Sequence, residues 1–145
     1  MMFSKSCEYG IKAVIYITTQ SLEGRRIKVG EIAENSDLPL AFTAKLLGIL
    51  TKVNIVRSQT GPNGGFYIEP ERLREIKLEE IVAAIDGNSV YEGCGLGLSH
   101  CDAQNPCPLH NDFIKIRTEL KTMLKTTSVF DLAMKLKSGE TVLVR

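Results

Sequence analysis

The chain has almost no net charge and no long apolar run. Its 145 residues contain 18 Lys and Arg against 17 Asp and Glu, a formal charge of +1. It therefore lacks the strong excess of basic residues with which some proteins hold nucleic acid by charge alone. No apolar run reaches the roughly 20 residues of a membrane span, and the apolar segment 13–17 is too short for a signal-peptide core. We expect a cytoplasmic protein with no membrane partner.

The sequence also lacks the residue patterns of an enzyme. It shows no paired-carboxylate site and no nucleophile beside a base. The glycines of Gly61-Pro62-Asn63-Gly64-Gly65 do not precede a helix, as a phosphate-binding loop would. Internal repeats and low-complexity tracts are missing as well. We expect no enzymatic activity and no small-molecule substrate.

What little charge asymmetry exists is concentrated near the N-terminus. Residues 1–60 hold 8 Lys and Arg against 5 Asp and Glu, whereas residues 61–93 hold 3 against 7. The first segment is net basic and the second is net acidic. This bias permits nucleic-acid binding by the first segment without requiring it.

Three of the four cysteines lie within fourteen residues, at Cys94, Cys101 and Cys107, and His110 follows at the spacing of a fourth ligand. Glycines and prolines between them exclude a regular helix, so the segment is predicted to be a loop. Thiolate and imidazole are ligands for zinc and for iron-sulfur clusters. In a reducing compartment, clustered cysteines favour a metal or redox role over disulfides.

Two other interpretations of the loop stay open. Structural zinc usually draws on thiols two to four residues apart, and that pairing is missing here, so the spacing favours a cluster over zinc. The thiols could also have no ligand at all. His100, beside Cys101, is a weaker ligand candidate than His110. Three thiols fall short of the four that a ferredoxin-like electron carrier requires.

Helical periodicity predicts three helices in the N-terminal half. The first begins after Ser6 as its cap and runs to about residue 21, the second covers residues 29–35, and the third begins near Pro39 with Phe42, Leu46, Ile49 and Leu50 inward. Two short helices joined by a tight turn are a helix-turn-helix candidate.

A hairpin is predicted directly after the third helix. The β-type run 54–58 and the run 66–68 flank the glycine-rich segment 61–65, whose glycines and asparagine suit a turn with positive φ. A hairpin in this place is the wing of a winged helix, in which the third helix enters the major groove. The residues predicted to contact DNA are Thr43 and Lys45 in the groove, Lys52, Arg57, Thr60 and Asn63 at the helix end and wing, and Arg25, Arg26 and Lys28 at the edge.

The remaining chain predicts a connecting helix, the cysteine loop, a long helix and a short last helix. The connecting helix ends at Gly87, the long helix covers about residues 108–126, and Ser128 with Asp131 has capping-box spacing. The long helix carries a narrow apolar stripe that predicts a self-pairing seam, and hence a homodimer. This stripe, the dimerisation set, consists of Phe113, Ile116, Leu120, Met123 and Leu124.

We therefore predict a mainly α chain with a small β-wing, of the α+β class. Residues 1–75 would form a winged helix-turn-helix DNA-binding domain. Residues 76–145 would supply the connecting helix, the cluster-binding loop at 93–110 and the dimerisation helix.

Nearly the whole chain resembles the BadM/Rrf-type family of bacterial winged-helix transcription regulators. The resemblance rests on Tyr9 and the helix after it, on residues 29–34, 42–50, 61–66 and 78–87, and on the three-cysteine loop. It implies a regulator, acting as a repressor on double-stranded DNA, that senses redox state, nitric oxide or iron-sulfur status.

The resemblance also implies an iron-sulfur cluster bound through Cys94, Cys101 and Cys107. His110 matches the histidine that IscR-like members use for a 2Fe-2S cluster, which favours 2Fe-2S over 4Fe-4S. Glu8 matches the acidic ligand that NsrR-like members take from the partner subunit, and it is the alternative fourth ligand. Ala44 and Thr60 stand where IscR-like members have a glutamate and an arginine, so an IscR-type operator is not implied.

Overall fold

The structure is a computed structural model that describes residues 3–145. Its helices are α1 (Lys5–Ser21), α2 (Val29–Ser36), α3 (Leu40–Lys52), α4 (Leu78–Asp86), α5 (His110–Thr126) and α6 (Val129–Lys137), and its strands are β1 (Arg57–Gln59) and β2 (Gly65–Tyr67). Of the helices described, none has the length and apolar character needed to cross a membrane. The predicted fold class, helices with a small antiparallel wing, is confirmed.

Helix α1 lies at the centre of the fold. Ala13, Val14 and Ile17 are fully buried, and the helix packs against α2, α3, α4 and α6. The prediction of Ser6 as the cap is wrong: Ser4 caps α1, because its hydroxyl accepts the N–H of Cys7 at 3.0 Å. Ser6 lies inside the first turn. The Ser4 hydroxyl also donates to the carboxylate of Asp86, at the end of α4.

Helices α2 and α3 form the helix-turn-helix. The turn begins at Asp37, which has left-handed backbone angles (φ 54) and whose N–H donates to the carbonyl of Glu34. The buried residues of α3 are Thr43, Leu46, Leu47 and Leu50. Phe42, predicted to be inward, is 38% exposed and meets the ring of Tyr9 edge-on, with the ring centroids 5.7 Å apart.

The wing is a two-stranded sheet in which Arg57 pairs with Tyr67 and Gln59 with Gly65. Ile27 extends it by a bridge to Phe66, with N···O distances of 2.7 and 3.1 Å. Gly64 has no room for a side chain, since a Cβ there would overlap the carbonyl of Gln59. The predicted hairpin is present, and its position is set by the chain segment before α2.

One hydrophobic core runs through both halves of the chain. It contains Ile17, Leu50 and Val56 together with Ile81 and Leu124. A bridge between Lys77 and Ser128 ties the start of α4 to the start of α6. Ser128 caps α6 as its spacing with Asp131 predicts, because its hydroxyl accepts the N–H of Asp131 at 3.1 Å.

Candidate DNA-binding surface and cysteine loop

The cysteine loop connects α4 to α5 and is held against α5. Arg117, on α5, donates from its guanidinium to the carbonyls of Glu92 (3.1 Å) and Gly93 (2.6 Å). A Cβ at Gly95 would overlap the ring of Phe113, so the loop backbone lies directly on that ring. The sequence interpretation overlooked Arg117, because it is one of four Lys and Arg residues on α5 and nothing in the sequence distinguishes it as the anchor of a loop twenty-odd residues earlier.

The four residues predicted as ligands come together. Cys94, Cys101, Cys107 and His110 line one cavity, and Phe113 and Arg117 contribute to its wall. Cys101 Sγ lies 3.4 Å from Nδ1 of His110. His110 is buried, at 8% exposure. It is the first residue of α5, and its backbone N–H donates to the carbonyl of Cys107 at 3.0 Å.

The loop backbone influences the thiols. The N–H of Leu96 donates to Cys94 Sγ at 3.4 Å and, with the side chain of Cys107, lowers the pKa of the Cys94 thiol. Desolvation raises the pKa of Cys107, and the neighbouring Cys94 and Cys101 raise it further.

The two remaining ligand candidates are His100 and Glu8. His100 also borders the cavity, but its side chain is 72% exposed, near Ser99 (3.0 Å) and Asp102 (3.8 Å). Glu8 lies in the first turn of α1, paired with Lys5 at 3.3 Å, and it does not border the cavity of its own chain.

The chemistry of the donor set fits an iron-sulfur cluster, since three thiols and one imidazole converge on one cavity. Over residues 3–145, no three His, Cys, Asp or Glu side chains are already arranged around a common point as a metal ion would require. The loop contains only short turns between residues 92 and 109, and the three cysteines are spread along it.

The second surface is the outward side of α3. Ala41, Ala44, Lys45 and Gly48 are exposed there, and Lys52 is exposed at the C-terminal end. Thr43 is not on this surface. The prediction that it faces the groove is wrong: its side chain is fully buried and its hydroxyl donates to the carbonyl of Pro39 at 2.8 Å. Thr43 lies three and four residues before Leu46 and Leu47, so it is on the same buried side of α3.

The basic residues predicted at the edge and wing are exposed, and each has a partner in the chain. Arg25 pairs with Glu31 at 3.1 Å and Arg57 with Glu69 at 3.9 Å. Arg26 lies 5.0 Å from the ring centre of Tyr67, and Lys28 donates to the carbonyl of Gly61 at 2.9 Å.

Residues from the turn before α2 and from the wing share one cleft. Arg26 and Lys28 border it on one side, and Asn63 and Gly64 border it on the other. Thr60 is exposed beside them on the wing. Glu31 also borders this cleft, so the two cations lie beside a carboxylate there.

The predicted dimerisation set divides into three groups. Leu120 and Leu124 belong to the core of their own chain, at 7% and 0% exposure, so their assignment to a seam is wrong. Phe113 packs under the cysteine loop. Ile116 (50%) and Met123 (43%) are exposed, as is Ile114 (43%), which the sequence interpretation left out.

The family model described as "Rrf2: Iron-dependent Transcriptional regulator" matches residues 3–135. The chain belongs to the Rrf2 family. The resemblance predicted from the sequence is thereby confirmed, and the chain is an Rrf2-family transcription regulator, not an enzyme.

Named relatives support the same assignment. A protein of Aquifex aeolicus (strain VF5), named by inference as an HTH-type transcriptional regulator, is 32% identical over 136 residues, covering 91% of each chain. The HTH-type transcriptional regulator IscR of Photorhabdus laumondii is 24% identical over 91% of this chain and 79% of its own.

Two solved structures share the fold. CymR (YrzC), the global cysteine regulator of B. subtilis, superposes with a TM-score of 0.72 at 22% identity, covering 91% of this chain and 95% of CymR. IscR of T. potens superposes with a TM-score of 0.71 at 18% identity, covering 96% of this chain and 90% of that protein. At these identities the likeness concerns the fold alone.

Proposed function

We propose that this Rrf2-family regulator binds a labile iron-sulfur cluster in its cysteine loop, and that cluster occupancy sets its affinity for operator DNA, where it acts as a repressor. The observation that carries the proposal is the convergence of three cysteines and the buried His110 on one cavity at the start of α5. Such a centre supplies chemistry that oxidants, nitric oxide or iron limitation can alter.

Four side chains of the loop and of α5 would ligate the cluster. Cys94, Cys101 and Cys107 would ligate as thiolates, and His110 as a neutral imidazole. One imidazole among thiolates lowers the negative charge of the site and favours 2Fe-2S over 4Fe-4S by analogy with histidine-ligated 2Fe-2S centres. Zinc on the same donors is the alternative that metal analysis would reveal.

A route for coupling exists in the packing. Arg117 and Phe113 attach the loop to α5. Helix α5 packs on α4, and α4 packs on both α1 and α3. A change in the loop would therefore shift or loosen the elements that carry the DNA-reading helix.

Operator binding would use the surfaces described above. Lys45 and Lys52 would lie along the groove, and Arg25, Arg26, Lys28, Arg57, Thr60 and Asn63 would contact the DNA backbone from the edge and wing. The ion pairs of Arg25 and Arg57 are exposed to solvent, so breaking them to contact a phosphate would cost little free energy. A homodimer through the exposed residues of α5, Ile114, Ile116 and Met123, would present two such surfaces to a two-fold symmetric operator.

The test compares holo and apo protein on one DNA. Protein purified without oxygen is expected to be brown and to contain iron and sulfide. Its affinity for a duplex selected from a random pool should differ from that of the chelator-treated apo protein by roughly five- to a hundredfold. Fluorescence anisotropy titrations at one fixed salt concentration measure both values. Equal affinities would refute cluster-dependent regulation, and a colourless protein that contains zinc would refute the cluster.

The fourth ligand is tested by three single substitutions. His110→Ala is expected to change the visible absorption spectrum and to shorten the lifetime of the bound cluster in air, because an imidazole ligand is lost. His100→Ala is the matched control and should retain the wild-type spectrum. If Glu8→Ala changes the spectrum and His110→Ala does not, the fourth ligand comes from α1 of the partner subunit. Absorption spectroscopy and native mass spectrometry of the anaerobic proteins provide the readout.

A further inference from the structure

The outward side of α3 carries an unusual set of side chains for a helix that reads DNA. The sequence of α3 contains no acidic residue, no arginine and no amide side chain. Its two threonine hydroxyls donate within the helix, from Thr43 to Pro39 and from Thr51 to Gly48. Lys45 and Lys52 are therefore the cations available to the groove, with the Lys45 ammonium 5.9 Å from the ring centre of Phe42. The other exposed residues of the helix are apolar: Leu40, Ala41, Phe42, Ala44 and Gly48.

Apolar side chains recognise one feature of the major groove. Thymine carries a C5-methyl group there beside its O4 acceptor, and none of the other three bases presents a methyl group in the groove. The first turns of a recognition helix are the part that reaches base edges, and Ala41 and Ala44 lie in those turns on the exposed side. The ammonium of Lys45, on the same turn as Ala44, suits the O6 and N7 acceptors of guanine.

Gly48 adds an independent observation. It lies within α3, one turn after Ala44, and it is exposed. A Cβ built on Gly48 meets no atom within 4 Å, so nothing in the chain requires a glycine at this position. Glycine inside a helix costs about 1 kcal/mol relative to alanine. A glycine that destabilises its helix without helping the fold is typical of a backbone that approaches a ligand closely.

We propose that α3 reads its operator chiefly through thymine methyl groups, with Ala41 and Ala44 against thymines, Lys45 against an adjacent guanine, and the closest approach of backbone to DNA at Gly48. The inference deepens the proposed function and depends on its DNA-binding part, but not on the cluster. It predicts a half-site in which thymines flank a guanine.

The first test changes only the DNA. Selection from a random pool is expected to give half-sites with that composition. Replacing a contacted thymine by uracil removes its methyl group and should weaken binding about fourfold, whereas uracil outside the half-sites should have no effect. With Ala44→Gly protein, one of the sensitive thymines should become insensitive, since its methyl partner is gone. Half-sites without thymine, or equal affinity for uracil duplexes, would overturn the inference.

The second test changes only the helix. Gly48→Ala is expected to raise the midpoint of thermal unfolding, because alanine favours the helix. The same variant should bind the selected duplex roughly fivefold or more weakly, because a methyl group now separates backbone from DNA. A more stable protein with undiminished affinity would refute the close approach. Uracil sensitivity in a protein whose holo and apo forms bind equally would support this inference while refuting the sensor function.

Discussion

Replacing Cys101 by serine is expected to leave a colourless protein that has lost nearly all of its bound iron and whose DNA affinity no longer responds to oxygen or chelators. Cys101 lies 3.4 Å from His110 on the cavity that the three cysteines share. A serine hydroxyl occupies almost the same volume, but it is a much poorer ligand than thiolate for the soft metals that sulfur selects. Iron and sulfide assays on anaerobically purified protein provide the measurement.

Cys7 offers a matched control for this substitution. It is fully buried in α1, and burial raises the pKa of its thiol to about 12, so it remains a protonated thiol in the core. Cys7→Ala should therefore keep the iron content and spectrum of the wild type. If Cys101→Ser retained a full complement of iron, or if Cys7→Ala lost it, the assignment of the loop as the cluster site would be wrong.

The second large effect is expected on α5, where two residues of the predicted apolar stripe should behave differently. Leu124→Ala should lower the free energy of unfolding by about 2 to 5 kcal/mol, because Leu124 is fully buried and its truncation leaves a cavity. Ile116→Glu should leave the chain folded, since Ile116 is half exposed, but it should dissociate the proposed dimer by placing a charge in the seam. Urea denaturation followed by circular dichroism measures the first effect, and sedimentation equilibrium measures the second.

The outcomes separate core from interface. The wild type is expected to sediment at twice the 16.0 kDa of one chain, and Ile116→Glu at the mass of one chain. A folded Ile116→Glu dimer would place the seam elsewhere. Unchanged unfolding of Leu124→Ala would contradict the burial of α5 in the core of its own chain.

Much of the fold was predictable because it depends on local patterns. Ser128 caps α6 as expected. At the start of a helix the hydroxyl of the capping residue lies within hydrogen-bond distance of the N–H three residues later, here that of Asp131. The wing is predictable because its turn requires glycine, which the sequence shows. Gly61 has positive φ, and at Gly64 there is no space for a side chain. The cap of α1 was misplaced by two residues because serines stand at both positions 4 and 6, and spacing alone does not show which of them precedes the helix.

The errors at the functional surfaces share one cause. Periodicity shows which residues of a helix lie on the same side, but not what lies opposite that side. For α5 the stripe was recognised, yet α4 and the core take up Leu120 and Leu124, and the loop takes up Phe113. For α3 the same limitation led to the prediction that Thr43 faces outward. Its hydroxyl can lie in the core because it donates to a carbonyl of the preceding turn.

Cysteine spacing, turn residues and helical periodicity, all properties of neighbouring residues, are enough to predict a winged helix with a candidate cluster loop, whereas the family came from the resemblance of whole segments and from the family model. Which side chains face outward depends on residues far apart in the chain, such as Phe113 over Gly95 and Arg117 on the carbonyls of Glu92 and Gly93. Those contacts exist only after the chain has folded, because burial is a property of the whole packed molecule. Only the tertiary structure therefore separated the core side of α5 from its exposed side and left alanine, lysine and glycine on the exposed side of α3.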